Sequence, residues 1–177
     1  DNDIGYFVKN YIRFCGVSDD YLVYDGSSDA RLGIYYYENG AAPRKPAVIY
    51  DRHHSSMLGL TVDDLPPDLY RQTRCVHTTG ITLALGEGVR STAMEMIRRF
   101  KAAGALISFD VNFRANLWSE AEARRYVEQI LPYVDVFFCS ETTARLPIGK
   151  QGTPREMMAS FAKDYPLSIV ASTHRVV

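Results

Sequence analysis

The chain has 177 residues, 46% of them hydrophobic and 23% charged, the composition of an ordinary folded domain with a core of its own. Twenty Lys and Arg against 21 Asp and Glu leave a formal charge of -1, which excludes broad electrostatic attraction to nucleic acid. No apolar run approaches membrane-spanning length, no signal-peptide pattern opens the chain, and Cys15, Cys75 and Cys139 are too few and too widely spaced for a disulfide framework, so a reducing cytoplasm is expected.

Residues 2–15 carry Ile4, Phe7, Val8, Tyr11 and Ile12 at helical spacing, with Gly16 as a stop. Two segments rich in Tyr, Ile and Val follow, 32–38 and 47–50. Asn39-Gly40 and a proline-containing loop join them, which predicts a β-hairpin. From residue 75 the order becomes strand, helix, strand. Short apolar strands are expected at 75–79, 105–111, 134–139 and 167–171. Helices are expected at 88–103, from Ser119 to Leu131, and from Thr153 onward. The last two open on capping boxes, Ser119 with Glu122 and Thr153 with Glu156, and Pro154 takes the first helical position of the third. Such alternation implies βαβ units, a parallel sheet and covering helices. The expected division is an α/β core of residues 1–28 and 56–177 and a β-hairpin lid of 29–55.

Ligands of open parallel sheets bind beyond the carboxyl ends of the strands. The residues there are Thr79-Gly80, then Asp110, Asn112 and Arg114, then Ser140, Glu141, Thr142 and Thr143, then Ser172, Thr173, His174 and Arg175. Amide, guanidinium, carboxylate and hydroxyls on one edge suit an anionic, hydroxyl-rich ligand, because Arg grips a carboxylate or phosphate in bidentate fashion. A second reading stands beside it, in which Asp110 caps a turn and Arg114 pairs with it. On the hairpin, Tyr35 and Tyr37 share one strand face, as do Tyr50 and Arg52. They form either an aromatic packing face or a phenol- and guanidinium-bearing lid.

Other features carry less. Gly86-Glu87-Gly88 lacks the third glycine of a dinucleotide fingerprint, and no GxxxxGK[ST] phosphate loop occurs. Adjacent His53 and His54 would point apart on a strand, which is poor metal geometry. His77, inside a strand, is expected to be a satisfied core residue. The run Arg98-Arg99-Phe100-Lys101 reads as the wet face of a helix.

The stretch from Ile107 through Asp110-Val111-Asn112-Phe113-Arg114 to Leu117-Trp118 resembles the D-x-N-x-R…LW segment of PfkB-family, ribokinase-like carbohydrate kinases, above all their 2-keto-3-deoxygluconate kinase branch. His77–Leu85 is similar to the family's strand and glycine loop, Gly33–Glu38 and Tyr50–Arg52 to its lid strands, and Phe137–Glu141 to the strand before its N-x-x-E segment. The resemblance implies a ribokinase-like α/β fold, a parallel sheet with helices on both faces and a small β lid. It also implies a sugar-acid kinase using ATP and Mg2+. Arg114 would hold the sugar-acid carboxylate, Tyr35, Tyr50 and Arg52 would contact substrate from the lid, and Gly80 would line the pocket. Asn112, Ser140, Glu141, Thr173 and Arg175 would face nucleotide or phosphate.

The chain departs from the family where Ser140 and Thr143 replace the Asn and Glu of N-x-x-E. The family's Gly-Ala-Gly-Asp segment, with its catalytic Asp, does not occur in these residues, so no catalytic residue is assigned. An opening at Asp1 and an end just beyond a strand agree with a middle segment of such a kinase, inactive alone. The rival readings are a non-catalytic module that dimerises through the lid strands, a kinase for a neutral sugar such as fructose or ribose, and a Rossmann-type oxidoreductase. The missing fingerprint disfavours the last.

Overall fold

A computed structural model describes residues 1–173. The chain divides into two compact units, Asp1–Leu60 and a second that starts at Thr61. The first unit therefore groups residues 1–28 with the hairpin, whereas the sequence expectation placed them with the sheet.

In the first unit, α1 (Asp3–Phe14) begins where the Asn2 side chain accepts a hydrogen bond from the Gly5 amide. Strands β1 (Ile34–Glu38) and β2 (Ala47–Asp51) pair antiparallel in the register that sets Tyr35 opposite Tyr50 and Tyr37 opposite Val48. Both strands are exposed along their whole length. Arg31 ties the hairpin base by donating to the carbonyl of His53 at 2.9 Å and pairing with Asp51 at 2.5 Å.

In the second unit, a short α2 (Asp68–Gln72) precedes β3 (Cys75–Thr79). The chain then runs through α3 (Gly80–Ala84), α4 (Glu87–Ala102), β4 (Leu106–Asp110), α5 (Glu120–Ile130), β5 (Val136–Phe138), α6 (Glu141–Arg145), α7 (Pro154–Asp164) and β6 (Ile169–Ala171). The four strands form a parallel sheet in the order β3-β4-β5-β6. Both expected capping boxes form: the Ser119 and Thr153 hydroxyls accept from the amides three residues on, and Glu122 and Glu156 reach back. Strands β5 and β6 are shorter than the apolar runs suggested, because Val134 ends a 3₁₀ turn and Leu167 bonds locally to Tyr165.

Strand alternation explains the core. Ile107, Phe109 and Phe137 point to one face and are fully buried with Val127, Ile130, Met157 and Phe161 from the helices. Phe161 meets the Phe137 ring edge-on at 4.9 Å between centroids. The opposite face carries Leu106, Phe138 and Ile169, all exposed, with the pair His77 and Ser108, whose Nδ1 and Oγ lie 2.8 Å apart. His77 is thus hydrogen-bonded as expected but lies at the surface rather than in the core, because its parity on β3 is that of the open face. At the far end of the sheet, Asp135 accepts from Lys101 Nζ at 2.6 and 2.7 Å and from the Ile107 amide at 2.8 Å, which joins α4 to the entries of β4 and β5.

Candidate functional site

The carboxyl ends of β4, β5 and β6 enclose a cleft of about 230 Å³. It is lined by Asp110, Asn112 and Arg114 after β4, by Cys139, Ser140 and Thr143 after β5, and by Thr173 after β6. The location is the one an open parallel sheet offers to ligands.

The β4 loop is held from several sides. Asp110 Oδ1 accepts from the Asn112 amide at 2.9 Å, which folds an Asx turn. Asn112 sits at φ +39°, in the left-handed region that Asn tolerates better than most side chains. The Leu117 amide closes the next turn on the Arg114 carbonyl at 2.9 Å. Val111 is fully buried, and Trp118 beyond the loop is 6% exposed. The first turn of α3 approaches this loop so closely that a β-carbon on Gly80 would overlap the Val111 carbonyl oxygen and stand 3.2 Å from the Trp118 ring. Gly80 is thus a packing neighbour of the loop.

Within the cleft, Arg114 Nη1 donates to the adjacent Phe113 carbonyl at 3.2 Å. No ion pair joins Arg114 to Asp110 among the described residues, so the turn forms without the pairing that was its companion in the sequence reading. Arg114 lines the cleft, and its bond to the Phe113 carbonyl uses one of the five N–H donors a guanidinium carries. Ser140 caps α6: its Oγ accepts from the Thr143 amide at 3.2 Å and donates to Thr143 Oγ1 at 2.9 Å. Glu141 does not line the cleft; Arg145 donates to it at 3.1 Å along the helix face. Burial pushes the Cys139 thiol up to about 12, with the Asp110 charge adding to the effect, so Cys139 stays a neutral thiol in the cleft wall.

The cleft thus brings together Asn112, Arg114, Ser140 and Thr173 and leaves Glu141 outside it. Arg175 lies outside the described residues. Asp110 and Thr143, placed by the sequence at the strand ends without an assigned role, also line the cleft. Asp110 is two residues from Asn112, the Asx-turn spacing, and Thr143 is three from Ser140, the cap spacing.

The hairpin gathers the other set. The Tyr35 and Tyr50 rings are cross-strand partners with centroids 6.2 Å apart, and the Arg52 guanidinium stacks over Tyr50 at 4.3 Å. Gly33 leaves room for this, since a β-carbon there would stand 3.2 Å from Arg52 Cβ. Arg52 thus presents a flat cation on an aromatic surface, a donor set for hydroxyls and anions.

The metal question can be put to the same residues. No group of three or more His, Cys, Asp or Glu that could hold a metal ion occurs among the described residues. Around Ser140 the nearest acids are engaged, Asp110 by the Asn112 amide and Glu141 by Arg145. Among the described residues Asp110 is the one carboxylate lining the cleft, so the protein would offer a magnesium ion at most a single acid beside phosphates and water. The segment's donors fit phosphoryl or carboxylate oxygens.

Comparison with known proteins agrees with this geometry. The profile of the pfkB family carbohydrate kinases matches residues 1–173. A 2-dehydro-3-deoxygalactonokinase of Haloferax volcanii is 35% identical over 98% of the chain, which spans 54% of that relative. A fructokinase of Solanum tuberosum is 33% identical over 72% of the chain and 39% of the relative. A PfkB family carbohydrate kinase from Listeria grayi superposes with a TM-score of 0.88 at 32% identity, over 99% of this chain and 55% of that one. The chain therefore spans about half the length, or less, of these proteins.

Proposed function

This chain belongs to the pfkB family of carbohydrate kinases, and from that premise we propose that the protein carrying it transfers the terminal phosphoryl group of ATP to a hydroxyl of a 2-keto-3-deoxy sugar acid, 2-keto-3-deoxygluconate or a close analogue. The observation that carries the reading is Arg114. It lines the cleft on a loop held by the Asp110 turn and backed by Trp118, with no ion pair to an acid among the described residues. A planar, permanently charged fork of this kind has its best match in a carboxylate.

In this proposal Arg114 fixes the acid end of the substrate, and Tyr35, Tyr50 and Arg52 act as a lid, residues 29–55, over its hydroxyls. The functional division that goes with this reading keeps residues 1–28 and 56–177 as the α/β core. Gly80 sets the position of the loop that carries Arg114. Asn112, Ser140, Thr173 and Arg175 meet the nucleotide, with Glu141 beside them at the start of α6. Holding both reactants in line supplies orientation, and the hydroxyl and amide donors offset charge on the phosphoryl oxygens. Mg2+ arrives with ATP, bound largely by phosphates and water. No residue of the 177 is assigned as the base that removes the hydroxyl proton, and the isolated chain is expected to show no turnover. A cytoplasmic small-molecule enzyme without nucleic-acid or membrane partners completes the reading.

The test is phosphorylation of a panel of sugar acids and neutral sugars by the complete gene product. Preference for 2-keto-3-deoxy acids supports the proposal; preference for fructose or ribose favours the neutral-sugar alternative.

A second reading concerns the hairpin face that Tyr35 and Tyr50 leave unused. Ile34, Tyr36 and Ile49 share that face at 37%, 60% and 66% exposure. A two-stranded sheet with both faces wet is marginal by itself. We infer that these residues pack against the same strands of a second copy, giving a homodimer. Light scattering on the wild type and on Ile49→Lys tests this, and a monomer in both excludes it.

A further inference from the structure

The kinase proposal above is the footing for an inference about residue 143. The hydroxyl protons at the start of α6 can be counted. A hydroxyl has one proton to donate and two lone pairs. Ser140 Oγ accepts from the Thr143 amide and gives its proton to Thr143 Oγ1. One proton bridges the two oxygens, so the pair keeps a second proton to donate, on Thr143 Oγ1 when Ser140 is the donor, and both residues line the cleft with Asn112, Arg114 and Thr173.

The position is informative because of what it replaces. The resemblance in this segment puts a Glu at 143, associated with phosphate and magnesium. A carboxylate there would accept hydrogen bonds only and would carry charge into the cleft that Arg114 lines. A threonine presents a neutral hydroxyl, whose proton suits an anion's oxygen and which brings no charge to a divalent cation. Glu141 lies outside the cleft under Arg145, and Asp110, on the neighbouring strand end with Oδ1 in its turn, is the one acid lining the cleft among the described residues.

We propose that the Ser140–Thr143 pair contacts the phosphoryl oxygens of the nucleotide directly, through the Thr143 hydroxyl, and supplies no magnesium-associated carboxylate. The residue assignment and the metal consequence stand together. Loss of the hydroxyl weakens nucleotide binding whether or not metal is present, and a carboxylate in its place makes binding depend on metal.

The experiment measures the dissociation constant of ATP for the complete gene product, once with excess Mg2+ and once with EDTA in its place. The proteins are wild type, Thr143→Ser, Thr143→Val and Thr143→Glu. Losing one hydrogen bond to a charged oxygen weakens binding about tenfold, so Thr143→Val is expected to lose about tenfold in both conditions. Thr143→Ser keeps the hydroxyl and wild-type affinity, which separates the contact from a packing defect. Thr143→Glu is expected to lose far more affinity in EDTA than in Mg2+. The inference is overturned if Thr143→Val binds ATP like wild type, or if its loss occurs only with Mg2+. If the wild type itself binds no ATP in either condition, the kinase reading falls, and this inference with it.

Discussion

The first helical turn after β3 rests on the carbonyl of Val111: Gly80 comes so near that oxygen that no side chain fits between them. Val111 lies between Asp110 and Asn112, so this contact sets the height of the loop that carries Arg114. Gly80→Ala is expected to destabilise the protein by about 1–3 kcal/mol through overpacking. It should also lower sugar-acid affinity, because the loop must move to admit the methyl group. Urea denaturation and substrate titration on the same preparation check both. An unchanged midpoint would show that the loop yields freely.

Cys139 should be chemically silent. Its thiol is held at about 12 by burial, so almost none of it is thiolate at pH 8. Cys15 and Cys75 are exposed. Iodoacetamide at pH 8, followed by peptide mass spectrometry, should label Cys75 and Cys15 well before Cys139. Because the folded-state value lies above the unfolded one, the protonated thiol's contribution to stability is complete below about pH 9. It is lost as pH rises toward 12. Cys139→Ala should flatten that part of the stability profile.

Asp135 is a structural tie remote from the cleft. It takes both the Lys101 ammonium and the Ile107 amide, and its side chain is 13% exposed. Asp135→Ala leaves a part-buried amide and a lysine without their acceptor, which costs about 2–4 kcal/mol. Lys101→Met should cost less, since it keeps the amide bond and much of the packing. Thermal melting of the two variants gives the order, and equal losses would contradict the role given to the Ile107 amide.

The Tyr50 ring and Arg52 guanidinium form one stacked unit. Arg52→Lys keeps charge but loses the flat stacking surface. It is expected to raise KM for sugar acids about tenfold, the size of one lost charge-assisted hydrogen bond, with kcat little changed. Steady-state kinetics of the complete gene product separate the two constants.

Much of the fold was legible because it rests on local rules. Capping boxes at Ser119 and Thr153 start their helices where they should, and the alternation of Ile107, Ser108 and Phe109 reports which side of β4 is buried. The short helices α3 and α6 were less legible. Five residues carry too little periodicity to separate them from a polar loop. That is why the sequence places Ser140, Glu141, Thr142 and Thr143 together at the sheet edge without separating Ser140 and Thr143, which line the cleft, from Glu141, which bonds along the helix. His77 shows a related limit. Strand periodicity gives parity, and which parity faces the helices depends on the neighbouring strands.

The account turns on Arg114 as the group that selects an acid. Its most direct test is kcat/KM for 2-keto-3-deoxygluconate and for fructose, in the wild type and Arg114→Met forms of the complete gene product. A bidentate charged pair is worth roughly a hundredfold or more. The wild type should favour the sugar acid, and Arg114→Met should lose about a hundredfold with the acid while changing little with fructose. Equal losses on both sugars, or a wild type that prefers fructose, would contradict it.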